Sequence, residues 1–134
     1  MDLVEYLTRY PQDVTLGDEA PETVFDRYHA PEVVVRSDGI DLDRERLLQH
    51  VRPARKRVSS VHTEVRDALN AGKRIAARYT LTAVMRKGQT VTTEIFMFGE
   101  LADDGRLLRV EQVTRTAQPA GAADQSGRPA EGIQ

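Results

Sequence analysis

The second half of this 134-residue chain alternates apolar and polar residues, and this pattern constrains its fold most strongly. Residues 74–86 show it best, because every second side chain from Ile75 to Met85 is apolar or aromatic. A period of two places successive side chains on opposite faces of a β-strand. Short turn sequences containing glycine separate such segments and indicate hairpins. The sequence therefore predicts four long strands, over residues 58–69, 74–86, 91–101 and 107–116.

Apolar residues at helical intervals predict helices in the first half of the chain. Residues 2–10 form one such face, and Pro11 is expected to end or kink this helix because its ring blocks a backbone hydrogen bond. A second helix is expected from Pro21, which suits a first helical turn, to about His29. Ala30-Pro31 then stops it.

A β-branched run, Val33-Val34-Val35, predicts the first strand. A third helix is expected after it, with Asp41 or Asp43 as its N-cap and Pro53 near its end. Helices followed by a meander of strands are typical of an α+β fold class. Because a twisted sheet that carries helices on one face must curl, we expect a cone-shaped curved antiparallel sheet, packed by three N-terminal helices around a pocket.

The composition excludes several classes of function. The chain has no cysteine, which excludes disulfides, thiolate metal sites and thiol nucleophiles. Its formal net charge of −2 gives no indication of a nucleic-acid partner. The sequence has no apolar run near the ~18 residues of a membrane span, and its N-terminus does not resemble a secretory signal. We therefore expect a cytoplasmic protein without a metal, a cofactor or a membrane partner.

Residues 1–117 are expected to form one domain, a size that suits a single core. The remaining residues, 118–134, are rich in Ala, Gly, Pro, Gln and Ser. Such a segment buries too little apolar surface to order itself, so it is predicted to be a disordered tail.

Four features occur in an order that resembles the nuclear-transport-factor-2-like superfamily, and the SnoaL-like, polyketide cyclase-like proteins in particular. Tyr10 precedes a Gly17-Asp18 turn, Tyr28 lies just before the first strand, and a capped helix begins at Asp43-Arg44. The fourth feature is the strand-turn-strand segment EIFMFGELADDGRLLRVEQ. The resemblance covers residues 1–116. It implies a pocket for a small, apolar or polycyclic metabolite and a homodimer formed through the sheet. It does not imply one activity, because this fold hosts isomerases, cyclases, hydrolases and non-catalytic binders.

The catalytic patterns of the superfamily match only in part. In the ketosteroid-isomerase pattern Tyr10 falls on the tyrosine position, but Arg36 takes the place of the base and Met97 that of the donor acid, which argues against that isomerisation. In the polyketide-cyclase pattern Arg115 or a neighbouring threonine stands where an aspartate is expected, while Glu111 matches a position that is often acidic.

Two further pairs of residues could supply an acid–base group. Arg36 and Asp38 have the spacing of the arginine–aspartate pair of an epoxide hydrolase. Glu94 shares a strand face with Phe96, and if this face points into the pocket, Glu94 beside Arg78 or Arg115 would be a perturbed carboxylate. If the face points outward, Glu94 is a solvated charge or part of a dimer face. The sequence leaves both orientations open.

These arguments give a set of candidate site residues. Tyr10 could donate a hydrogen bond to a ligand, Tyr28 could line the mouth of the pocket, and the imidazole of His50 could serve as a base or as a structural side chain. The predicted catalytic residues are Tyr10, Asp38 and Glu94, and the predicted substrate-binding residues are Tyr28, Arg36, His50, Arg78, Phe96, Glu111 and Arg115.

Three functions remain open on these grounds. The chain could be a cofactor-free acid–base enzyme of the cyclase, isomerase or epoxide-hydrolase type, a non-catalytic metabolite-binding protein, or a dimeric interaction protein. A basic run, Arg52-Pro53-Ala54-Arg55-Lys56-Arg57, is interpreted as a solvated helix end, with a site for an anionic ligand or carrier protein as the alternative.

Overall fold

The computed structural model describes residues 1–117, which form three helices and one six-stranded sheet. In chain order the elements are α1 (Leu3–Leu16), α2 (Pro21–Tyr28), β1 (His29–Ser37), β2 (Ile40–Asp43), α3 (Arg44–Arg57), β3 (Val58–Ala71), β4 (Arg74–Met85), β5 (Thr90–Leu101) and β6 (Leu107–Ala117). The strand order is β2-β1-β6-β5-β4-β3. The α+β prediction is confirmed. The tail predicted for residues 118–134 lies outside the described residues.

Both longer helices continue past a proline, which corrects the end predicted for the first of them. α1 contains Pro11 and runs on to Leu16, and α3 contains Pro53 and runs on to Arg57. A proline removes only one helical hydrogen bond, and tertiary packing can outweigh that loss. On α1 this packing comes from Leu7 and Val14, which are buried on either side of Pro11.

An aspartate side chain caps the N-terminus of each of these two helices. The Asp2 carboxylate accepts a hydrogen bond from the backbone N–H of Glu5 at 3.0 Å, and the Asp43 carboxylate accepts one from that of Arg46 at 3.0 Å. Each contact satisfies one of the backbone donors that a helix N-terminus leaves free. Of the two aspartates considered for α3, Asp43 is therefore the cap.

The sheet differs from the predicted one at its β1 end. β1 begins at His29 and includes Pro31, and the short strand β2 pairs with it after a turn at Asp38 and Gly39. A register irregularity between His29 and Val34 accommodates the proline, which has no N–H to donate. β1 pairs with β6 in parallel, whereas all other neighbours are antiparallel.

The helices cover one face of the curved sheet, which we call the inner face. Phe25, Leu48 and Leu107 are essentially fully buried there. On β4 and β5 the inner face carries Ile75, Ala77, Tyr79, Leu81, Ala83, Val91, Thr93, Ile95 and Met97. The opposite, outer face exposes Phe98, which keeps 67% of its surface accessible. No helix in residues 1–117 is long and apolar enough to cross a membrane.

Candidate functional site

A cavity of about 300 Å³ lies between the inner face of the sheet, α1 and α3. Its size is at the lower end of the range for small-molecule pockets. Most of its wall is apolar or aromatic. The lining residues are Tyr6, Leu7, Tyr10, Pro11, Val14, Thr15, Ser37, Leu47, His50, Val51, Ala54, Tyr79, Leu81, Ala83, Val91, Thr93, Ile95, Gln112 and Thr114. This lining includes no Asp, Glu, Lys or Arg side chain, so the wall that residues 1–117 provide favours an uncharged ligand body.

An aromatic cluster closes one end of the cavity. Tyr6 and Tyr10, one helical turn apart on α1, stack with their ring centroids 5.3 Å apart. The Tyr6 hydroxyl donates a hydrogen bond to His29 Nε2 at 2.9 Å, and His29 Nδ1 donates one to the Phe25 carbonyl at 2.9 Å. Because both ring nitrogens are engaged and the side chain is buried, the neutral form of His29 is favoured. Burial lowers its pKa to about 4.

Three buried phenols remain protonated at neutral pH. Burial raises the pKa of Tyr6, with smaller contributions from Tyr10, Tyr79 and Tyr28, and burial also raises the pKa values of Tyr10 and Tyr79. Within residues 1–117, the Tyr10 and Tyr79 hydroxyls form no hydrogen bond to another side chain or to the backbone. Both residues line the cavity, so their O–H groups are available to a ligand oxygen.

A polar group of side chains lies where β1 and β6 run side by side. Gln112 donates from Nε2 to the Ser37 hydroxyl at 3.2 Å. The Asp38 carboxylate accepts from the Thr114 backbone N–H at 2.8 Å and from its hydroxyl at 2.6 Å. Asp38 itself does not line the cavity. It therefore positions Thr114, which does line the cavity, and its two oxygens are already engaged. This placement does not fit the catalytic role predicted for Asp38.

His50 lies at the cavity wall, and its Nε2 forms no hydrogen bond with any group of residues 1–117. It lies on α3 and is exposed, and its Nδ1 donates a hydrogen bond to the Arg46 carbonyl at 2.7 Å. A donor at Nδ1 fixes the tautomer in the neutral ring and leaves the Nε2 lone pair unprotonated. His50 can therefore accept a hydrogen bond or a proton from a bound molecule.

The orientation of β5 corrects most of the remaining predictions. Val91, Thr93 and Ile95 point into the cavity, so Glu94 and Phe96 point to the outer face. Glu94 contacts Arg115 at 2.5 Å, which is one of the two partners predicted for it. This contact lies outside the cavity. The interpretation in which the glutamate face of this strand lines the pocket is therefore wrong.

The other charged candidates also lie on the outer face. Arg36 contacts Asp41 at 3.1 Å and approaches Glu111 to 3.9 Å, and it does not pair with Asp38. Arg78 contacts Asp67 at 2.6 Å and does not pair with Glu94. These pairs are substantially exposed, so each contributes little to stability. The structure does not bring Arg36, Arg78, Phe96, Glu111 or Arg115 to the cavity.

The structure places Tyr10 and His50 at the cavity, and Tyr28 beside it. Tyr28 packs against Tyr6 and Tyr10 but lines a separate cleft of about 230 Å³ that also includes Tyr6.

The sequence analysis missed the role of His29, which it placed only at a helix end. It also missed Tyr6, although the spacing of Tyr6 and Tyr10 by one helical turn was a visible signal.

The sequence also indicated that Tyr79 faces inward, because it falls in the alternating apolar pattern of β4. It did not indicate that Thr93, Gln112 and Thr114 line the cavity. Their role depends on which face of each strand points inward and on the pairing of β1 with β6. Neither is specified by residues close together in the chain.

Within residues 1–117 no group of three or more His, Asp or Glu side chains is arranged to hold a metal ion. No protein-family model matches the chain, and no curated protein matches it in sequence.

Solved structures do match it. IdmH from Streptomyces antibioticus, named as a candidate polyketide cyclase, is 15% identical, with 84% of this chain and 88% of that one covered at a TM-score of 0.62. A candidate SnoaL-like polyketide cyclase from Jannaschia sp. CCS1 is 13% identical, with 84% and 81% covered and a TM-score of 0.60. An NTF2-like protein of unknown function from Exiguobacterium sp. 255-15 is 15% identical, with 89% and 100% covered and a TM-score of 0.62. The chain has the nuclear-transport-factor-2-like fold, which these solved structures share.

Proposed function

We propose that this protein binds a small, largely apolar and uncharged molecule in the cavity beneath α1 and α3. The observation that carries this proposal is the combination of an apolar wall with a few neutral polar groups. The Tyr10 and Tyr79 hydroxyls would donate to an oxygen of the ligand, while His50 Nε2 would accept from a hydroxyl. Apolar walls with a few placed polar groups are typical of small-molecule sites.

A variant that fills the cavity tests this proposal. Val91→Trp places an indole at a half-buried lining position, and we expect it to weaken binding of the neutral fluorescent probe N-phenyl-1-naphthylamine at least tenfold, because the two compete for one volume. The matched control is Thr92→Trp, one residue along the same strand, where the side chain faces outward and Thr92 Oγ1 lies 3.3 Å from Thr82 Oγ1. Equal affinities in the wild type and both variants would contradict the proposal.

A second candidate, acid–base catalysis on the bound molecule, is favoured by the fixed tautomer of His50. A lone pair at the cavity wall could remove a proton while a neutral phenol donates a hydrogen bond to the oxygen that becomes negative. Native mass spectrometry of protein purified from its own host, followed by extraction, supplies the molecule to test. If the wild type converts it and His50→Gln binds but does not convert it, the protein is an enzyme. Binding without conversion by the wild type indicates a carrier.

We further propose that the outer face of the sheet pairs with a second copy of the chain. This face exposes Phe96, Phe98 and Val113 among ion pairs of both signs, including Arg115–Glu94 and Arg109–Glu100. A surface that carries apolar side chains and balanced charges is complementary to itself after a two-fold rotation. A groove of about 520 Å³ beside Phe98 provides space for side chains of the partner.

The dimer is tested by its mass in solution. We expect sedimentation equilibrium to give about twice the 15.0 kDa of one chain, and Phe98→Glu to raise the dissociation constant at least tenfold, since it introduces an unpaired charge at the centre of the contact. Val4→Glu is the control, because Val4 is an exposed valine on α1, away from the sheet. A monomeric wild type, or equal weakening by both variants, would contradict a dimer through this face.

A further inference from the structure

Five cationic side chains lie on α3 and in the turn between β4 and β5, the elements next to the cavity: Arg46, Lys56, Arg57, Arg86 and Lys87, which we call the basic rim. All five are exposed. Within residues 1–117, none of them forms an ion pair with an acidic side chain. This concentration of unpaired positive charge stands out in a chain whose formal net charge is −2.

The fold connects the basic rim to the cavity wall. Arg46 and Arg57 lie on the same stripe of α3 as His50 and Ala54, both of which line the cavity, because side chains three or four residues apart share a helix face. The Arg86 backbone N–H donates to the Arg57 carbonyl at 2.7 Å. This hydrogen bond joins the end of α3 to the turn between β4 and β5.

The turn between β4 and β5 lies next to lining residues of both strands. Ala83 on β4 pairs with Val91 on β5, and both line the cavity. Ala54 packs against the buried cluster that contains Ala83. The cations of the turn therefore follow directly on the strand segments that form the cavity wall.

Stabilisation of the helix accounts for only part of this charge. Basic residues in the last turn of a helix interact favourably with its dipole, which explains Lys56 and Arg57. It does not explain Arg46 in the first turn or the two cations of the β4–β5 turn. Arg55, by contrast, has a structural role, because it donates to the Val14 and Glu19 carbonyls at 2.7 and 2.6 Å.

We propose that the part of the basic rim at the end of α3 and in the β4–β5 turn, Lys56, Arg57, Arg86 and Lys87, binds the phosphate group of an amphiphilic ligand whose apolar body occupies the cavity. A phosphate dianion presents several acceptor oxygens and can engage more than one guanidinium or ammonium group at once. A single carboxylate would need only one of these cations. The inference rests on the proposed function, because it assigns the apolar part of the ligand to the same cavity.

The test compares two ligands that differ only in the phosphate. We expect decyl phosphate and decanol each to displace N-phenyl-1-naphthylamine from the cavity, and decyl phosphate to bind the wild type at least tenfold more tightly at low salt. The difference is expected to shrink as the ionic strength rises, because salt screens exposed charges. Val91→Trp should lower the affinity for both ligands, because the apolar part of each binds in the cavity.

The decisive variant carries Arg86→Glu and Lys87→Glu, both on an exposed turn, where substitutions usually change the free energy of unfolding by less than about 0.5 kcal/mol. We expect this variant to lower the affinity for decyl phosphate at least tenfold and to leave the affinity for decanol unchanged. The control carries Arg66→Glu and Lys73→Glu, which make the same change in net charge at exposed positions that line neither the cavity nor the groove. It should leave both affinities unchanged.

The outcomes separate this inference from the proposed function. Two results would overturn the phosphate site and leave the cavity function standing. In the first, decanol displaces the probe as well as decyl phosphate does. In the second, the rim variant and the control weaken the binding of decyl phosphate equally. Failure of the probe and of both ligands to bind overturns both. If the phosphate site is supported, phosphatidylcholine vesicles with and without phosphatidic acid identify its source. Rim-dependent binding to the acidic vesicles assigns a lipid headgroup, and its absence assigns a soluble phosphate ester.

Discussion

Replacing Leu48 with alanine is expected to lower the free energy of unfolding by about 2–5 kcal/mol, the usual cost of deleting a fully buried leucine side chain. Leu48 is completely inaccessible to solvent and joins α3 to the main core of the sheet. Its truncation leaves a void in a close-packed interior. Urea unfolding, followed by circular dichroism at one fixed protein concentration, measures the change.

The same substitution at an exposed leucine provides the control. Leu69 on β3 keeps 71% of its surface accessible, so Leu69→Ala is expected to change the free energy of unfolding by less than about 0.5 kcal/mol. Equal losses from the two substitutions would show that α3 is not anchored as described. The anchor matters for function because α3 carries His50 and three residues of the basic rim, Arg46, Lys56 and Arg57.

The alternation of the second half of the chain predicted the four long strands within a few residues, because each strand has one buried and one solvated face. The predicted segment 74–86 corresponds to β4 at Arg74–Met85, and 91–101 to β5 at Thr90–Leu101. Local sequence could not predict β2. Its four residues include one buried side chain, Leu42, and it is a strand because β1 supplies its hydrogen bonds.

Alternation alone did not reveal which face of β5 points inward, because both faces carry large apolar residues. Ile95 and Met97 lie on one face, and Phe96 and Phe98 on the other. The position of Gly99 bears on the orientation of β5. It shares the inner face, and a Cβ there would lie 3.0 Å from Cγ1 of Ile75, so the glycine permits close packing of β5 on β4.

The site was predictable where one element provides the chemistry and not where several elements meet. Tyr10 was singled out because it matches the tyrosine position of the superfamily pattern, and His50 because it lies beside apolar residues of the third predicted helix. Both side chains line the cavity. The pairing of Tyr6 with His29 joins residues 23 positions apart, and the contact of Asp38 with Thr114 joins residues 76 apart. Such contacts depend on tertiary structure, which no local pattern encodes.

Acidification from pH 7 to pH 4.5 is expected to remove about 2 kcal/mol of stability through His29 alone. Burial lowers the pKa of His29 in the folded protein to about 4, whereas an unfolded chain has a histidine pKa of about 6.5. Between these values the unfolded state binds more protons than the folded state. The contribution is therefore fully present above about pH 6.5 and is lost as the pH falls towards 4.

His29→Gln isolates this contribution, because a glutamine side chain does not titrate. Urea unfolding at pH 7 and at pH 4.5 should give a loss of stability that is about 2 kcal/mol smaller in the variant than in the wild type. The carboxyl of Asp26, whose pKa is lowered first by its hydrogen bond with Arg44, is present in both proteins. Only the contribution that His29 makes to this lowering, the smallest of its causes, is lost in the variant. Identical losses in the two proteins would contradict a buried neutral His29.

Protonation of His29 has a further consequence for the cavity. A proton on Nε2 removes the acceptor of the Tyr6 hydroxyl, while Nδ1 keeps its bond to the Phe25 carbonyl. Tyr6 lines the cavity and stacks on Tyr10, so loss of this hydrogen bond should loosen the aromatic end of the site. Probe binding in the wild type should therefore weaken as the pH falls towards 4, where the folded protein takes up this proton. In His29→Gln, the loss of probe binding over the same range should be smaller than in the wild type, because Tyr6 no longer depends on a titrating acceptor.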